Sequence, residues 1–280
     1  MADEGLPVQP AARVLGCSES GYYASRVRAP SARRVRHALL TETIRTIHTA
    51  SRGVYGARRV HAELTKGHGV QVWHGTVEML MARAGLKGMG GRPKRRRARP
   101  DLISNDLVDR QFARERVDEL WVTDITEHPT REGKVYCTVV LDVCSRRVVG
   151  WSIDSSPTAA LVTNALGMAI ENRRPPAGTI IHSDHGVQFG SWAFTTRAKE
   201  SGLVPSMGSI GDCYDNAVIE SFWSRMQVEL LDRRRWRTRL ELANAIFEYL
   251  EIFHNRQRRH SALGWLTPVE FESTATITVA

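Results

Sequence analysis

Gly211-Asp212-Cys213-Tyr214-Asp215-Asn216-Ala217-Val218-Ile219-Glu220-Ser221-Phe222-Trp223 runs from a Gly/Asp/Asn loop into an amphipathic helix. At about 100° per residue, Ile219, Phe222, Trp223, Met226 and Leu230 fall on one apolar stripe, which predicts a helix lying on a core. Glu220 sits at the edge of that stripe, so its carboxylate is held in position yet open to a cleft. Two further acids end strand-like runs: Asp124 in Trp121-Val122-Thr123-Asp124-Ile125-Thr126, and Asp184 in Thr179-Ile180-Ile181-His182-Ser183-Asp184-His185-Gly186. Thirty-five residues separate Asp184 from Glu220.

A chain of 280 residues exceeds the usual size of one domain, which predicts two or more units with at least one sizeable core. No apolar run reaches the roughly 18 residues of a membrane span, and the first thirty residues lack a basic start followed by a long apolar stretch. The expectation is a soluble, cytoplasmic protein with no membrane partner. Cys17, Cys137, Cys144 and Cys213 form no C-x-x-C pair and are read as reduced thiols without structural zinc.

The net charge of +9 is unevenly spread. Residues 1–115 carry 21 Lys+Arg against 10 Asp+Glu, residues 116–230 carry 10 against 14, and residues 231–280 carry 8 against 6. Basic flanks around an acidic centre suit a polyanion whose phosphates share metal cations with that centre. Of the 39 basic residues 34 are arginine, the side chain suited to bidentate phosphate contacts.

Residues 1–30 read as a short helix-turn-helix-like segment, with a Gly-Cys-Ser corner at residues 16–18 and Ser18 as N-cap. Residues 31–90 are expected to form a helix-turn-helix DNA-binding domain. A basic helix with Leu39, Leu40, Ile44 and Ile47 on its apolar side precedes a helix from Tyr55-Gly56, and another spans about 75–84, stopped by Gly85. Arg58 and Arg59 suit either phosphate contact or a solvated helix face. His61, His68 and His74 have no cysteine partners and read as surface residues. Residues 91–115 form a basic linker whose Gly, Pro and charge content cannot bury a core, with Arg92, Lys94, Arg95, Arg96 and Arg97 placed to meet a nucleic-acid backbone.

Residues 116–232 form the expected catalytic core. Strands over 121–127, 134–143 and 147–153 are joined by turns suited to antiparallel hairpins, and are followed by a helix over 157–172, a strand over 179–183 and a helix over 192–201. The fold class is α/β, a mixed sheet with helices on its faces. Such a fold can bring Asp124, Asp184 and Glu220 together above the sheet. Three hard oxygen donors suit Mg²⁺ or Mn²⁺, and two such ions promote in-line phosphoryl transfer. Asp142 and Asp154 at strand ends, and Asp212 and Asp215 in the loop, compete for that role but also suit capping turns. His182 and His185 flank Asp184 and suit either substrate orientation or a structural place.

Trp121 to Thr126, Leu141-Asp142-Val143-Cys144-Ser145-Arg146-Arg147-Val148-Val149-Gly150-Trp151, His182-Ser183-Asp184-His185-Gly186-Val187-Gln188-Phe189 and Asp215 to Trp223 together resemble the orfB-type transposases of the IS-three family of bacterial insertion sequences. The spacing of Asp184 and Glu220 matches that of their retroviral-integrase-like core. Tyr249-Leu250-Glu251-Ile252-Phe253-His254-Asn255-Arg256-Gln257-Arg258-Arg259-His260-Ser261-Ala262-Leu263-Gly264 with Thr267-Pro268 resembles the family's C-terminal signature. The resemblance implies an RNase H-like core with Asp124, Asp184 and Glu220 as catalytic metal ligands, with two Mg²⁺ or Mn²⁺ ions expected between them. It also implies cleavage and joining of insertion-sequence ends, double-stranded DNA partners, a homo-oligomer on DNA and a nucleoid-associated place in the bacterial cytoplasm. A non-catalytic end-binding inhibitor of transposition is the alternative, against which an intact triad argues.

Two features depart from the family pattern. Seven residues beyond Glu220, where related enzymes often carry a DNA-contacting lysine, stands Gln227, while Arg225 projects elsewhere on a regular helix. No long leucine-heptad segment of the kind supplied by the family's upstream frame is present, so partnership or fusion with that product is expected. Residues 233–280 form a basic helical C-terminal segment. Its cluster Arg233, Arg234, Arg235, Arg237 and Arg239 beside Trp236 suits either DNA phosphates or the solvated start of a docking helix.

Overall fold

The computed structural model describes residues 7–90, 114–184, 186–207 and 217–277. Arg92, Lys94, Arg95, Arg96 and Arg97, together with His185, Asp212 and Asp215, lie outside the described residues. The chain opens with α1 (Val8–Val14) and α2 (Glu19–Val27), and Ser18 Oγ caps the second by accepting from Gly21 N at 3.0 Å. A long α3 (Ala32–Ala50) follows, then α4 (Ala57–Ala62), which widens into a π-helical turn at Glu63–Gly67, and α5 (His74–Arg83). Their apolar sides meet: Leu40, Ile44 and Ile47 of α3 are buried with Val60, Leu64, Val77, Leu80 and Met81. His61, expected at the surface, is half-buried and lies 3.0 Å from the Val72 carbonyl through Nε2.

Five strands form one sheet: β1 (Leu120–Thr130), β2 (Gly133–Asp142), β3 (Val148–Asp154), β4 (Ile180–Ser183) and β5 (Val204–Met207), in the order β3-β2-β1-β4-β5. The first three are antiparallel, joined by the two expected hairpin turns, and β4 and β5 continue the sheet in parallel. β5 has no counterpart in the sequence reading. It is four residues long and contains Pro205, which an edge strand tolerates because its outer side needs no ladder donor.

Alternation along the strands sorts the core into two layers. Trp121, Val140, Val149 and Ile181 pack under α6 (Ala159–Arg173) and α7 (Trp192–Glu200). The helix α6 starts at Ala159 rather than Pro157 because Thr158 is its N-cap, the side chain accepting from Leu161 N at 3.4 Å. It lies so close to the sheet that a Cβ at Gly150 would stand 2.3 Å from the Ala165 carbonyl oxygen. Only glycine permits that approach.

Val122, Val139, Leu141 and Val148 face the other way, toward α8 (Ala217–Glu229) and α9 (Arg239–Phe247). The chain of α9 continues as a π-helix over Glu248–Gln257, and α10 (Pro268–Ile277) follows. Ile219, Phe222, Met226 and Leu230 are buried as the stripe predicts, and one apolar cluster runs from α3–α5 across this face to α9. Asn255 completes the edge of the sheet with its side chain, accepting from Val148 N and donating to Val148 O, each at 2.9 Å.

Where α8 ends, Glu229 is buried against Arg258, whose Nε and Nη2 each donate at 2.8 Å, and against Tyr249, whose hydroxyl donates at 2.9 Å. Arg59 of α4 reaches within 3.7 Å of the same carboxylate. Burial alone would raise the Glu229 carboxyl, but the Arg258 hydrogen bonds and charge overcome it and hold it below the usual value. Its stabilisation is therefore present at pH above the ordinary glutamate range and is lost as pH falls through the depressed folded value. Glu229→Gln, which leaves the buried Arg258 guanidinium without a counter-charge, is expected to cost about 3–5 kcal/mol at pH 7 in denaturant unfolding. The deficit should shrink on acidification, and Glu229→Met combined with Arg258→Met should cost less than the single change.

Candidate active site

Asp124 follows Thr123 on β1, and Asp184 follows Ser183 at the end of β4; Thr123 and Ser183 are paired in the parallel ladder. The next step along each chain therefore sets the two acids side by side. By alternation from Val122 and His182, both leave the sheet on the face that carries α8. Glu220 lies in the first turn of α8, and Trp223, one turn further along the same face, donates its indole Nε1–H to Asp124 Oδ2 at 3.0 Å. Sequence reading places Trp223 only in the apolar stripe; in the structure it is half-buried and ties the helix to the first acid. Its spacing of three residues from Glu220 is the signal that could have revealed this.

Asp124 Oδ1 accepts from the backbone N–H of Ile125 at 2.7 Å, and Asp184 Oδ1 accepts from Gly186 N at 3.0 Å. A Cβ at Gly186 would itself stand 3.0 Å from Asp184 Oδ1. Glycine therefore leaves open the space beside the carboxylate, which any side chain there would crowd. Asp124 and Asp184 open on one cleft of about 280 Å³, shared with Thr126, Tyr136, Gly186 and Gln188.

The Asp124 carboxyl is raised from 3.8 to about 6, first by burial and then by the negative charges of Asp184 and Glu220, against the lowering effect of its hydrogen bonds from Ile125 and Trp223. Asp124 thus feels the charges of both other acids at this end of the sheet. An arrangement in which neighbouring carboxylates disfavour ionisation suits a divalent cation, which relieves the repulsion and accepts hard oxygen donors. Among the described residues no three acid, histidine or cysteine side chains close to ligand distance around one point. The residue types suit such an ion, but the structure brings only Asp124 and Asp184 onto one cleft, and Glu220 does not line it.

The competing acids have structural duties. Asp142 is fully buried, accepting from Ser145 N at 2.7 Å, Ser145 Oγ at 2.9 Å and Asp118 N at 2.7 Å, so it caps the β2–β3 turn. Asp154 accepts from Ser155 N at 2.5 Å and caps the end of β3. His182 Nδ1 lies 3.1 Å from Ser206 Oγ across β4 and β5. Gln227 donates from Nε2 to Asp232 at 2.5 Å, so this position of α8 is engaged within the chain.

The cationic candidates divide. Arg58 and Arg235 are exposed without an ion-pair or hydrogen-bond partner among the described residues. Arg59 is half-buried, donating from Nε to the Arg259 carbonyl at 3.2 Å, and burial lowers its guanidinium to about 10. Arg233 donates to the Arg52 carbonyl at 2.5 Å. Arg234 lies 4.2 Å from the Trp236 ring centre and 3.3 Å from Glu241. No described helix is long and apolar enough to cross a membrane.

Comparison with known proteins identifies the domains that carry these residues. Residues 114–213 match the integrase core domain, residues 201–268 match a second model of the same description, and residues 34–97 match an HTH-like domain. The transposase for insertion sequence element IS629 of Shigella sonnei is 38% identical over 244 residues, covering 86% of this chain and 81% of its own. Transposase InsF for insertion sequence IS3A of Escherichia coli (strain K12) is 34% identical over 267 residues, covering 93% of this chain and 92% of its own. Among solved structures, the catalytic core domain of BIV integrase is 20% identical with a TM-score of 0.42, covering 58% of this chain and 99% of that one. With an integrase core of mixed, RNase H-like topology, an HTH-like domain before it and relatives matched over most of their length, the chain belongs to the IS3 family of insertion-sequence transposases.

Proposed function

We propose that Asp124, Asp184 and Glu220 are the catalytic carboxylates of this transposase and hold two Mg²⁺ or Mn²⁺ ions for cleavage and joining of insertion-sequence ends. The observation that carries this reading is the Asp124 carboxyl, raised by burial and by the charges of the other two acids at the C-terminal end of β4 and the start of α8. Bound there, divalent ions would supply activation of a water or 3′-hydroxyl and stabilisation of the leaving oxygen in an in-line transfer. The chain's own part is to fix the donors. The β1–β4 register sets two carboxylates abreast, the Trp223 indole holds Asp124 in one orientation, and Gly186 leaves space at Asp184.

The basic flanks, Arg58 and Arg235 with Arg92, Lys94, Arg95, Arg96, Arg97, Arg233 and Arg234, are the proposed backbone contacts for DNA, with Arg59 serving more as a tie between α4 and the C-terminal segment. Residues 31–90 would read the ends, residues 116–232 would cut and join, and residues 233–280 would support both. Joining two ends requires both to be held together, so a homo-oligomer on DNA is expected.

In a strand-transfer assay with the element's own end DNA and Mg²⁺, joined product is expected from the wild type and should fall to background in Glu220→Gln with end binding retained. Equal joining by both proteins would remove Glu220 from the chemistry. Asp124 supplies a second check. Its folded value lies above its unfolded one, so in metal-free protein stability falls as pH rises from about 4 through about 6, and the cost persists above. The shift corresponds to roughly 3 kcal/mol at most, and partial exposure discounts it to roughly 1–2 kcal/mol. Asp124→Asn is thus expected to raise metal-free stability by about that amount at pH 8 and to leave it unchanged near pH 4, while Mg²⁺ should stabilise only the wild type.

A further inference from the structure

The face of α8 turned away from Asp124 borders a second cleft, of about 300 Å³. Ser221 and Arg225 of α8, Arg146 of the β2–β3 turn, Arg59 of α4 and Arg258 and His260 of the C-terminal segment line it. Four guanidinium groups line it, and among the described residues no carboxylate does. Glu229, behind it, is committed to Arg258 at 2.8 Å and stands 3.7 Å from Arg59. It compensates one charge of the four.

Arg225 is exposed, and Arg146 is half-buried; neither side chain has an ion-pair or hydrogen-bond partner among the described residues. A half-buried guanidinium that no carboxylate reaches at ion-pair distance costs free energy, and an arriving anion would offset it. Burial lowers the Arg146 guanidinium from its usual value, and the charge of Asp142 at the same turn opposes this only in part. His260 is driven far below its ordinary value, first by burial and then by the charges of His254, Arg258, Arg59 and Arg146. The neighbouring histidines are therefore neutral at pH 7, and the uncompensated charge of the cleft is that of its arginines.

Resting on the transposase reading, we propose that this cleft binds a phosphate group, taken from the DNA backbone at a phosphodiester other than the one being cut. The placement gives the proposal its geometry. At about 100° per residue, Arg225 lies about 140° around α8 from Glu220, so one helix offers a carboxylate on one side and a cation on the other. Planar arginine forks match tetrahedral phosphate oxygens, and Ser221 adds a hydroxyl donor at the same rim. Because the lining comes from α4, the sheet and the C-terminal segment at once, a phosphate seated there would tie all three to the orientation of α8.

The test uses the full chain and duplex end DNA, with binding measured across a salt series. Arg225→Gln with Arg146→Gln is expected to lower the slope of log K against log salt by roughly 1 and to weaken binding about tenfold near 0.1 M salt. Arg225→Lys should restore the slope, since it keeps the charge, and Arg174→Gln, at the end of α6 on the other side of the sheet, should leave it unchanged. Because Arg225 is exposed, its single change should fold normally and show a smaller loss of the same sign. An unchanged slope in the folded double variant would overturn the proposal.

Inorganic phosphate, compared with chloride at equal ionic strength, supplies the second arm. It should raise the melting temperature of the wild type more than that of the double variant. That shift without any change in DNA binding would make the cleft a free-anion site and overturn its assignment to the backbone. If the wild type bound no DNA while the phosphate shift persisted, the transposase reading would fail together with the backbone assignment, though the anion site itself would stand.

Discussion

The buried contact between Glu229 and Arg258 fixes much of the molecule, because neither charge can stay inside without the other. Glu229 ends the helix that begins with Glu220, Arg258 follows the π-helical stretch of the C-terminal segment, and Arg59 adds α4 to the same carboxylate. Tyr55 extends the junction, its hydroxyl donating to Gln257 O at 2.6 Å and accepting from Arg259 N at 2.9 Å. Helices from three parts of the chain therefore converge at the far end of α8. The proposed site carboxylate Glu220, in the first turn of that helix, is held in place by contacts made at its last.

The opposite end of α8 is set by a different kind of constraint. Asp124 stands where burial and neighbouring acids both disfavour its charge, and the Trp223 hydrogen bond offsets only part of that cost. A fold retains such an arrangement when the rest of the structure over-determines it, here through the β1–β4 ladder and the apolar packing of Ile219, Phe222 and Met226. Rigidity at the Glu229 end thus makes the electrostatic tension at the Glu220 end sustainable. On the proposed reading, the two ends of one helix divide stability and chemistry between them.

Much of this was legible in residue order, for reasons that differ by element. The stripe on α8 and the alternation on β1–β3 report burial directly, so those elements and the positions of Asp124, Asp184 and Glu220 on them could be read. Asp142 and Asp154 were recognisable as turn caps because capping is a local matter between near neighbours. β5 was not legible, since four residues with a proline carry no periodicity and become a strand only because β4 leaves an edge to pair. Trp223 and Arg59 were only half legible: an indole or guanidinium has an apolar body and a polar tip, and sequence cannot say which partner the tip will find. The spacing that reveals an acid triad likewise says nothing about which cations surround it.

The charge distribution gains its meaning from those partners. An acidic core of net −4 repels a DNA backbone unless positive charge lies close by, and at physiological salt screening confines that help to about 8 Å. Arginines scattered over distant flanks could not compensate. Packing of α4 and the C-terminal segment onto the α8 side of the sheet brings Arg59 and Arg258 around one cleft with Arg225 of α8. The same junction that holds the fold together therefore also brings positive charge to the helix that carries Glu220, and the polar contacts made for stability decide where an anionic strand can approach a cluster of acids.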